Sequence, residues 1–317
     1  MAMSALLNTQ QVAEILGVDV KTVLRYVNAK RLKASRLGRE YRILESDLEV
    51  FLNNGSTAPA HVRGQALVSV LANQKGGVGK TTSTFNLGVA LQRLGYRVLM
   101  IDLDPQGGLT ISAGVNPAHQ QVTIYDALTD EDGDPRRAII RTHSGVDMIP
   151  ANIDLSAAEL NLAGQLGREY FLKTLVTKLR AEYDHILIDC PPSLGLLSIN
   201  ALTAADQVIV PVQCEFLALR GLALLMDSIE RTRRKLNPSI RLAGILPTMY
   251  DSRTLHSNEV LQDLRTRFPG RVYDIVVKDT VRIKESPAAG MSILDYDSEH
   301  DVALAYRALA KEVSGHG

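Results

Sequence analysis

Lys75-Gly76-Gly77-Val78-Gly79-Lys80-Thr81-Thr82 sits between an apolar run, Ala66–Ala72, and a second one from Thr84 to Leu94. The first run has the composition of a buried strand. In the second, Phe85, Leu87, Val89, Leu91 and Leu94 predict a buried helix that is apolar on most sides. Strand, glycine-rich turn and helix together form a setting in which backbone N–H groups and a positive helix end hold phosphate oxygens. Glycines suit the turn because side chains would keep the backbone away from the anion. Gly76, Gly77, Val78 and Gly79 therefore read as a phosphate loop. Lys80 is placed to reach β- and γ-phosphates, the Thr81 hydroxyl to ligate Mg²⁺, and Thr82 to hydrogen-bond an α-phosphate. The pattern G-x-x-x-x-G-K-[ST] fails at its first glycine, where Gln74 stands. Lys75 follows directly, so this loop carries two lysines where an ordinary one needs a single lysine.

Outward from the loop, apolar β-rich runs alternate with helical patterns. Strands are predicted at Ala66–Ala72, Arg97–Asp102, Val146–Ile149, His185–Asp189, Gln207–Val212 and Arg241–Thr248, with a shorter one near Val272–Val277. Helices are predicted at Ser156–Gly164, Glu169–Glu182, Leu219–Leu236 and Asn258–Arg267. Nearly continuous apolar strands separated by helices indicate an α/β fold, a parallel β-sheet covered by helices on both faces.

The 317 residues exceed one average domain. Residues 54–66 are small and polar with Gly and Pro, and read as a flexible linker with a reach of roughly 20 Å. The expected division is a DNA-reading unit over 1–53, the linker, and a nucleotide domain over 67–317. Formal net charge is zero, so any attraction to nucleic acid or membrane must come from local patches. Two cysteines exclude a disulfide framework and a four-cysteine metal site. No run approaches 18 apolar residues, so a soluble, cytoplasmic protein is expected.

Two further strands end in carboxylates. Val98–Asp102 leads into Leu103-Asp104-Pro105-Gln106, and His185–Asp189 into Cys190-Pro191-Pro192-Ser193. Ligands of open α/β sheets sit at the carboxyl ends of strands, so these sites and the loop make one candidate MgATP site. Asp189 would hold Mg²⁺ through water, and Asp104 would position the attacking water.

The loop, Asp102–Gln106, Asp189–Gly195 and Pro211-Val212-Gln213-Cys214-Glu215 together resemble the ParA/Soj family of partition ATPases, of the deviant Walker A class. The resemblance runs through most of residues 67–313. It implies a P-loop NTPase fold, an ATP-dependent sandwich homodimer with slow ATPase activity, and non-specific DNA binding by the dimer. It also implies nucleoid association and stimulation of turnover by a ParB-type centromere-binding partner. Lys75 would cross the dimer to the partner's nucleotide, and Asp104 would support hydrolysis. Gly107-Gly108-Leu109-Thr110 stands where the family often has Gly-Asn-Ala-Thr, and Lys278-Asp279-Thr280-Val281-Arg282 where it has Pro-Arg-Asn-Val-Arg. For the non-specific DNA face, the resemblance favours Arg231, Arg233, Arg234, Arg253 and Arg282, with Arg220 and Lys235 beside them. Clustered arginines suit phosphate contacts without sequence readout.

In the first 53 residues, Thr9 is positioned to cap a helix over Gln10–Leu16. Gly17-Val18-Asp19 turns the chain, and Val20–Asn28 continues as a second helix. Leu32–Leu37 and Glu40–Ile43 read as a hairpin, followed by a short helix from Asp47 to Leu52. Helix, glycine-containing turn, helix is the helix-turn-helix pattern. The order resembles the excisionase/MerR-like winged helix-turn-helix family. From Lys21 to Arg42, eight basic residues face one acidic, a local charge of +7. Lys21, Thr22, Arg25 and Tyr26 are expected in the major groove, with Arg36, Arg39 and Arg42 on backbone or minor groove.

The readings converge on a DNA-partition ATPase with an added sequence-specific, autoregulatory DNA-binding domain. The alternative is a transcription regulator that uses the ATPase domain as a nucleotide-controlled dimerisation switch. A membrane-positioning role would need a terminal amphipathic anchor. Asp301–Val313 is predicted instead to be a core-packing helix.

Overall fold

The computed structural model of the protein describes residues 6–16, 20, 23, 27, 32–37, 40–44, 46–48, 65–130, 133–215 and 218–315. The chain divides into two units, with the division between residues 61 and 62.

In the first unit, β1 (Leu6–Asn8), β2 (Ser35–Leu37) and β3 (Glu40–Leu44) form an antiparallel sheet with β3 in the centre. β1 gives no period in the sequence because it is only three residues long. The helix Thr9–Leu16 follows it directly. Its cap is Asn8 rather than Thr9: the Gln11 N–H donates to Asn8 Oδ1 at 2.8 Å, and the Asn8 N–H donates back to Gln11 Oε1 at 3.0 Å. This reciprocal pair satisfies two N–H groups that the helix alone leaves open. Val12, Ala13, Val23, Leu32, Ile43 and Leu48 form the buried core, with Val20 and Val27 packed against it. Val20, Val23 and Val27 are helical, as their spacing predicts.

The second unit is built on a seven-stranded sheet. Its strands are β4 (Leu67–Leu71), β5 (Val98–Asp102), β6 (Ile140–Arg141), β7 (Asp147–Ile149), β8 (His185–Asp189), β9 (Gln207–Gln213) and β10 (Arg241–Thr248). The order across the sheet is β10-β9-β4-β8-β5-β7-β6. All neighbouring pairs are parallel except β6 with β7, an antiparallel edge too short to be legible in sequence. The run Val272–Val277 is not a strand. It follows β10 through one bridge, Ile245 to Val272, and single hydrogen bonds from Tyr273 and Val277. The Tyr273 ring packs where a Cβ on Gly244 would come within 2.6 Å of it.

Alternation along the strands sends side chains to two cores. Val68 and Val70, Leu99 and Ile101, Ile186 and Ile188, and Val208 and Val210 face one core. Leu71, Met100, Leu187 and Ile209 face the other. A strand with apolar residues at every position is the sequence consequence of being covered on both faces.

On the first face lie helices Leu155–Ala163, Phe171–Leu179, Leu196–Ala204, Ala218–Lys235 and Leu255–Arg267. Four of these match predicted helices to within a few residues. Leu196–Ala204 is apolar without a period, so its sequence does not predict a helix. On the second face, Lys80–Arg93 packs with Asp301–Val313, and Ser83 Oγ lies 3.0 Å from Tyr306 OH between them. Val302, Ala303, Tyr306, Leu309 and Ala310 are buried, so the last helix belongs to the core as its sequence suggested. No helix among the described residues is long and apolar enough to cross a membrane.

Candidate active site

β4, β5 and β8 are adjacent, and their carboxyl ends are in register. Leu71 pairs with Asp189, and Asp102 pairs with Asp189 from the other side. The loop after β4, the carboxylates after β5 and the end of β8 therefore meet at one edge of the sheet.

The helix after the loop begins at Lys80, earlier than the apolar pattern from Thr84 suggested. Its cap is Gly79, at φ 87°, and no side chain satisfies the first-turn N–H groups. Gly77 also has positive φ, 71°. Neither conformation suits a side-chain-bearing residue, and the helix start is left without a side-chain cap, the setting in which backbone donors bind an anion. Three contacts from outside the loop hold this shape. Asn73 Nδ2 donates to the Pro211 carbonyl at 2.7 Å while its Oδ1 accepts the Lys75 N–H at 3.0 Å. Thr248 Oγ1 donates to the Val78 carbonyl at 2.8 Å.

The two lysines part company. Lys80 is 6% exposed and its Nζ donates inward to the Lys75 carbonyl at 3.2 Å. Burial lowers its pKa, against the opposing electrostatic pull of Asp189 first and of Cys190 and Asp104 after it. Lys75 turns the other way. Its Nζ donates to Glu215 Oε2 at 2.7 Å and Gln213 Oε1 at 3.0 Å, on the segment following β9 and at its end.

Thr81 Oγ1 donates to Asp189 Oδ2 at 2.7 Å, and Thr84 Oγ1 reaches Asp189 Oδ1 at 3.3 Å. Asp189 is fully buried. Burial first, then the charge of Asp102, push its carboxyl well above the ordinary range, with the Thr81 hydrogen bond and Lys80 opposing. Asp102 is equally buried and also raised, chiefly by burial. It accepts from the Thr110 N–H at 2.8 Å, the Thr110 hydroxyl at 2.7 Å and the Asp104 N–H at 3.1 Å. Asp102 is thus the anchor of the following loop, and it leaves Asp104 half-buried at the loop's edge, where it accepts the Gln106 N–H at 2.9 Å. Gly107 is needed in that loop because its φ is 64° and a Cβ would lie 3.2 Å from the Ala151 carbonyl.

This donor set fits MgATP. A hydroxyl beside a buried carboxylate suits a hard cation. The uncapped helix start with an inward lysine suits the phosphates. Two close buried carboxylates are also relieved by a divalent charge.

An AAA-domain model matches residues 66–242, and a helix-turn-helix model matches residues 6–56. The chromosome partitioning protein ParA of Caulobacter vibrioides is 46% identical over 248 residues, spanning 78% of this chain and 93% of that protein. The chain belongs to the ParA/Soj family of P-loop ATPases. The sporulation initiation inhibitor protein Soj of Bacillus subtilis is 43% identical over 251 residues, spanning 79% of this chain and 99% of Soj. A solved structure titled cobyrinic acid a,c-diamide synthase, from Mycobacterium smegmatis with bound ADP and magnesium, is 43% identical with a TM-score of 0.71. It covers 79% of this chain and 95% of its own. ATP and Mg²⁺ are accordingly the ligands of this ParA/Soj site.

Asn73, Thr84, Asp102, Thr110, Gln213, Glu215 and Thr248 join the site through contacts that the sequence did not assign. Asp102, Thr110, Gln213 and Glu215 lie within stretches that carry or border the family motifs, whereas Asn73, Thr84 and Thr248 have no such signal. Of the candidate DNA residues, Arg231 pairs with Asp227 at 2.8 Å, Arg233 with Glu230 at 2.8 Å and Arg253 with Asp251 at 2.8 Å. Arg234 lies 3.6 Å from Glu230, and Arg282 3.6 Å from Glu285. Each is exposed beside a carboxylate of its own chain, so a DNA phosphate would compete with that carboxylate for the guanidinium. Lys21, Thr22, Arg25, Tyr26 and Arg39 lie outside the described residues. Arg36 pairs with Tyr41 and Arg42 with Ser35 across β2 and β3. Cross-strand partners share a face and neighbours alternate, so Arg36 and Arg42 stand on opposite faces of this sheet.

Proposed function

We propose that the chain is a partition ATPase whose MgATP-bound form is a homodimer joined through Lys75. The observation that carries this reading is the opposed direction of the two loop lysines. Lys80 serves the loop's own phosphates, whereas Lys75 leads out of the loop to the half-exposed end of β9, where it pairs with Glu215. A cation that meets phosphate only when two subunits meet makes nucleotide binding and dimerisation one equilibrium. Asp104, held at the edge of the loop by Asp102, is the group that positions the attacking water, and Asp189 holds Mg²⁺ through water. The dimer binds DNA without sequence preference, sits on the nucleoid, and turns over slowly until a ParB-type partner accelerates it.

Lys75→Ala should lose ATP-stimulated binding to random duplexes and ATP-dependent dimerisation, measured by light scattering with and without ATP. Retention of both would show that Lys75 has no role across the dimer.

The N-terminal unit, by its helix-turn-helix match and local charge of +7, supplies the sequence-specific function, an operator and autoregulation. Arg25→Ala with Arg39→Ala should abolish operator retention while leaving ATP hydrolysis at the wild-type rate. Equal loss of both activities would refute this division of labour.

The name of the mycobacterial relative, a cobyrinic acid a,c-diamide synthase, raises amide transfer as another activity. Transfer through a cysteine nucleophile needs an accessible thiolate. Cys190 and Cys214, the chain's two cysteines, are both buried. Burial pushes the Cys214 thiol up to about 11 and raises Cys190 further. Neither supports that chemistry.

A further inference from the structure

We propose that Glu215 is a positioning residue that holds Lys75 on its own subunit and so sets the ATP concentration at which subunits pair. The inference rests on the cross-dimer reading of Lys75 given above and adds the group that opposes it.

Three side chains close a small ring. Lys75 Nζ donates to Glu215 Oε2 at 2.7 Å and to Gln213 Oε1 at 3.0 Å, and Gln213 Nε2 donates to Glu215 Oε1 at 2.5 Å. The backbone braces it: the Glu215 N–H donates to the Gln213 carbonyl at 2.7 Å, and the Cys214 N–H to the Thr248 carbonyl at 3.1 Å. Thr248 in turn grips the loop at Val78, so the ring and the phosphate loop share one support. Glu215 has no other ion-pair partner among the described residues.

The ammonium has three donors, and this ring engages two of them with a carboxylate and an amide oxygen. These contacts fix Nζ against its own subunit, so reaching a phosphate on another subunit means leaving Glu215. Pairing therefore exchanges Lys75–Glu215 for Lys75–phosphate in each subunit. The contact is half-exposed, with side-chain exposures of 37% and 49%, so it is weak enough to exchange. A pair of this exposure contributes about two- to five-fold to an equilibrium. Two such contacts break when a dimer forms, so the combined effect on the dimer dissociation constant is about four- to twenty-five-fold. Salt screens a half-exposed ion pair, so the effect should shrink as ionic strength rises.

The test compares ATP titrations of dimerisation, by light scattering or analytical ultracentrifugation, for wild type, Glu215→Gln, Lys75→Ala and the double variant. Glu215→Gln keeps the size and a hydrogen bond but removes the charge. It is expected to form dimers at a lower ATP concentration, with a dimer dissociation constant reduced about four- to twenty-five-fold at low salt and less at 0.5 M salt. In the Lys75→Ala background the same change should do nothing. Glu215→Asp, which keeps the charge on a shorter stem, should lie between wild type and Glu215→Gln. Thermal melts of each variant report that the fold is intact. Loss of pairing in Lys75→Ala together with an unchanged ATP titration in Glu215→Gln would overturn the Glu215 proposal alone. Weaker pairing in Glu215→Gln would overturn it too, since Glu215 would then be aiding the dimer. Unchanged pairing in Lys75→Ala would instead overturn the cross-dimer reading itself.

Discussion

Lys80→Ala is expected to lower ATP hydrolysis by about two to three orders of magnitude, the usual cost of removing one preorganised donor from a developing charge. Lys80 is the inward-facing cation of the loop, and its burial excludes the water that would otherwise stand in for it. Burial lowers its pKa while Asp189 and Asp104 oppose that fall, and its Nζ is already held on the Lys75 carbonyl, so the donor is in position before nucleotide arrives. Preorganisation of this kind needs no rearrangement during the reaction. The same variant should lose the rise in Tm that MgATP gives the wild type, because a ligand stabilises a protein only as far as it binds the folded state. Hydrolysis at the wild-type rate, or an undiminished MgATP shift in Tm, would place the phosphates elsewhere.

Asp189→Asn is expected to divide stability from function. Burial, and then the charge of Asp102, raise the Asp189 carboxyl to about 8 in the nucleotide-free protein. The native state therefore keeps this proton at pH values where the unfolded chain, titrating near an ordinary value of about 4, has released it. Stability from the neutral form is complete below that lower value and is lost as pH rises through the native one. Asparagine does not titrate there and still accepts from the Thr81 hydroxyl. The Tm of Asp189→Asn relative to wild type should therefore climb between about pH 4 and pH 8 and level off above that. Each kcal/mol appears as about 2–4 °C for a unit of this size. Mg²⁺-dependent hydrolysis should fall by about 10- to 100-fold, the range for disturbing a group that orients a bound metal's ligands. A Tm difference that stays constant across this pH range would refute the account of the buried carboxylate pair.

Much of the nucleotide domain was legible because its strands are covered on both faces. Val98–Ile101 and Ile186–Ile188 are unbroken apolar runs that end in a carboxylate, and the sequence places both strands to within a residue. Val272–Val277 has the same composition but runs along the edge of β10 without a ladder, and composition does not report what lies beside a strand. The Thr9 cap was misplaced by one residue because Asn8 and Thr9 both suit the position, and the choice depended on which of them Gln11 answers.

By itself the sequence determined the phosphate loop, its two lysines, the strand-end carboxylates and the presence of a second, basic unit. These are local features, fixed by a few adjacent residues whose backbone conformation their own side chains dictate. The tertiary structure alone decided what each charged group faces. Asp102 and Asp104 are two residues apart, yet one is a buried anchor and the other stands at the loop's edge, because the strand pairing buries the first against Asp189. Lys75 and Glu215 are 140 residues apart and meet only because β4 and β9 are neighbours in the sheet. The energy of a charge depends on its distance from other charges and from water, and the folded chain sets both.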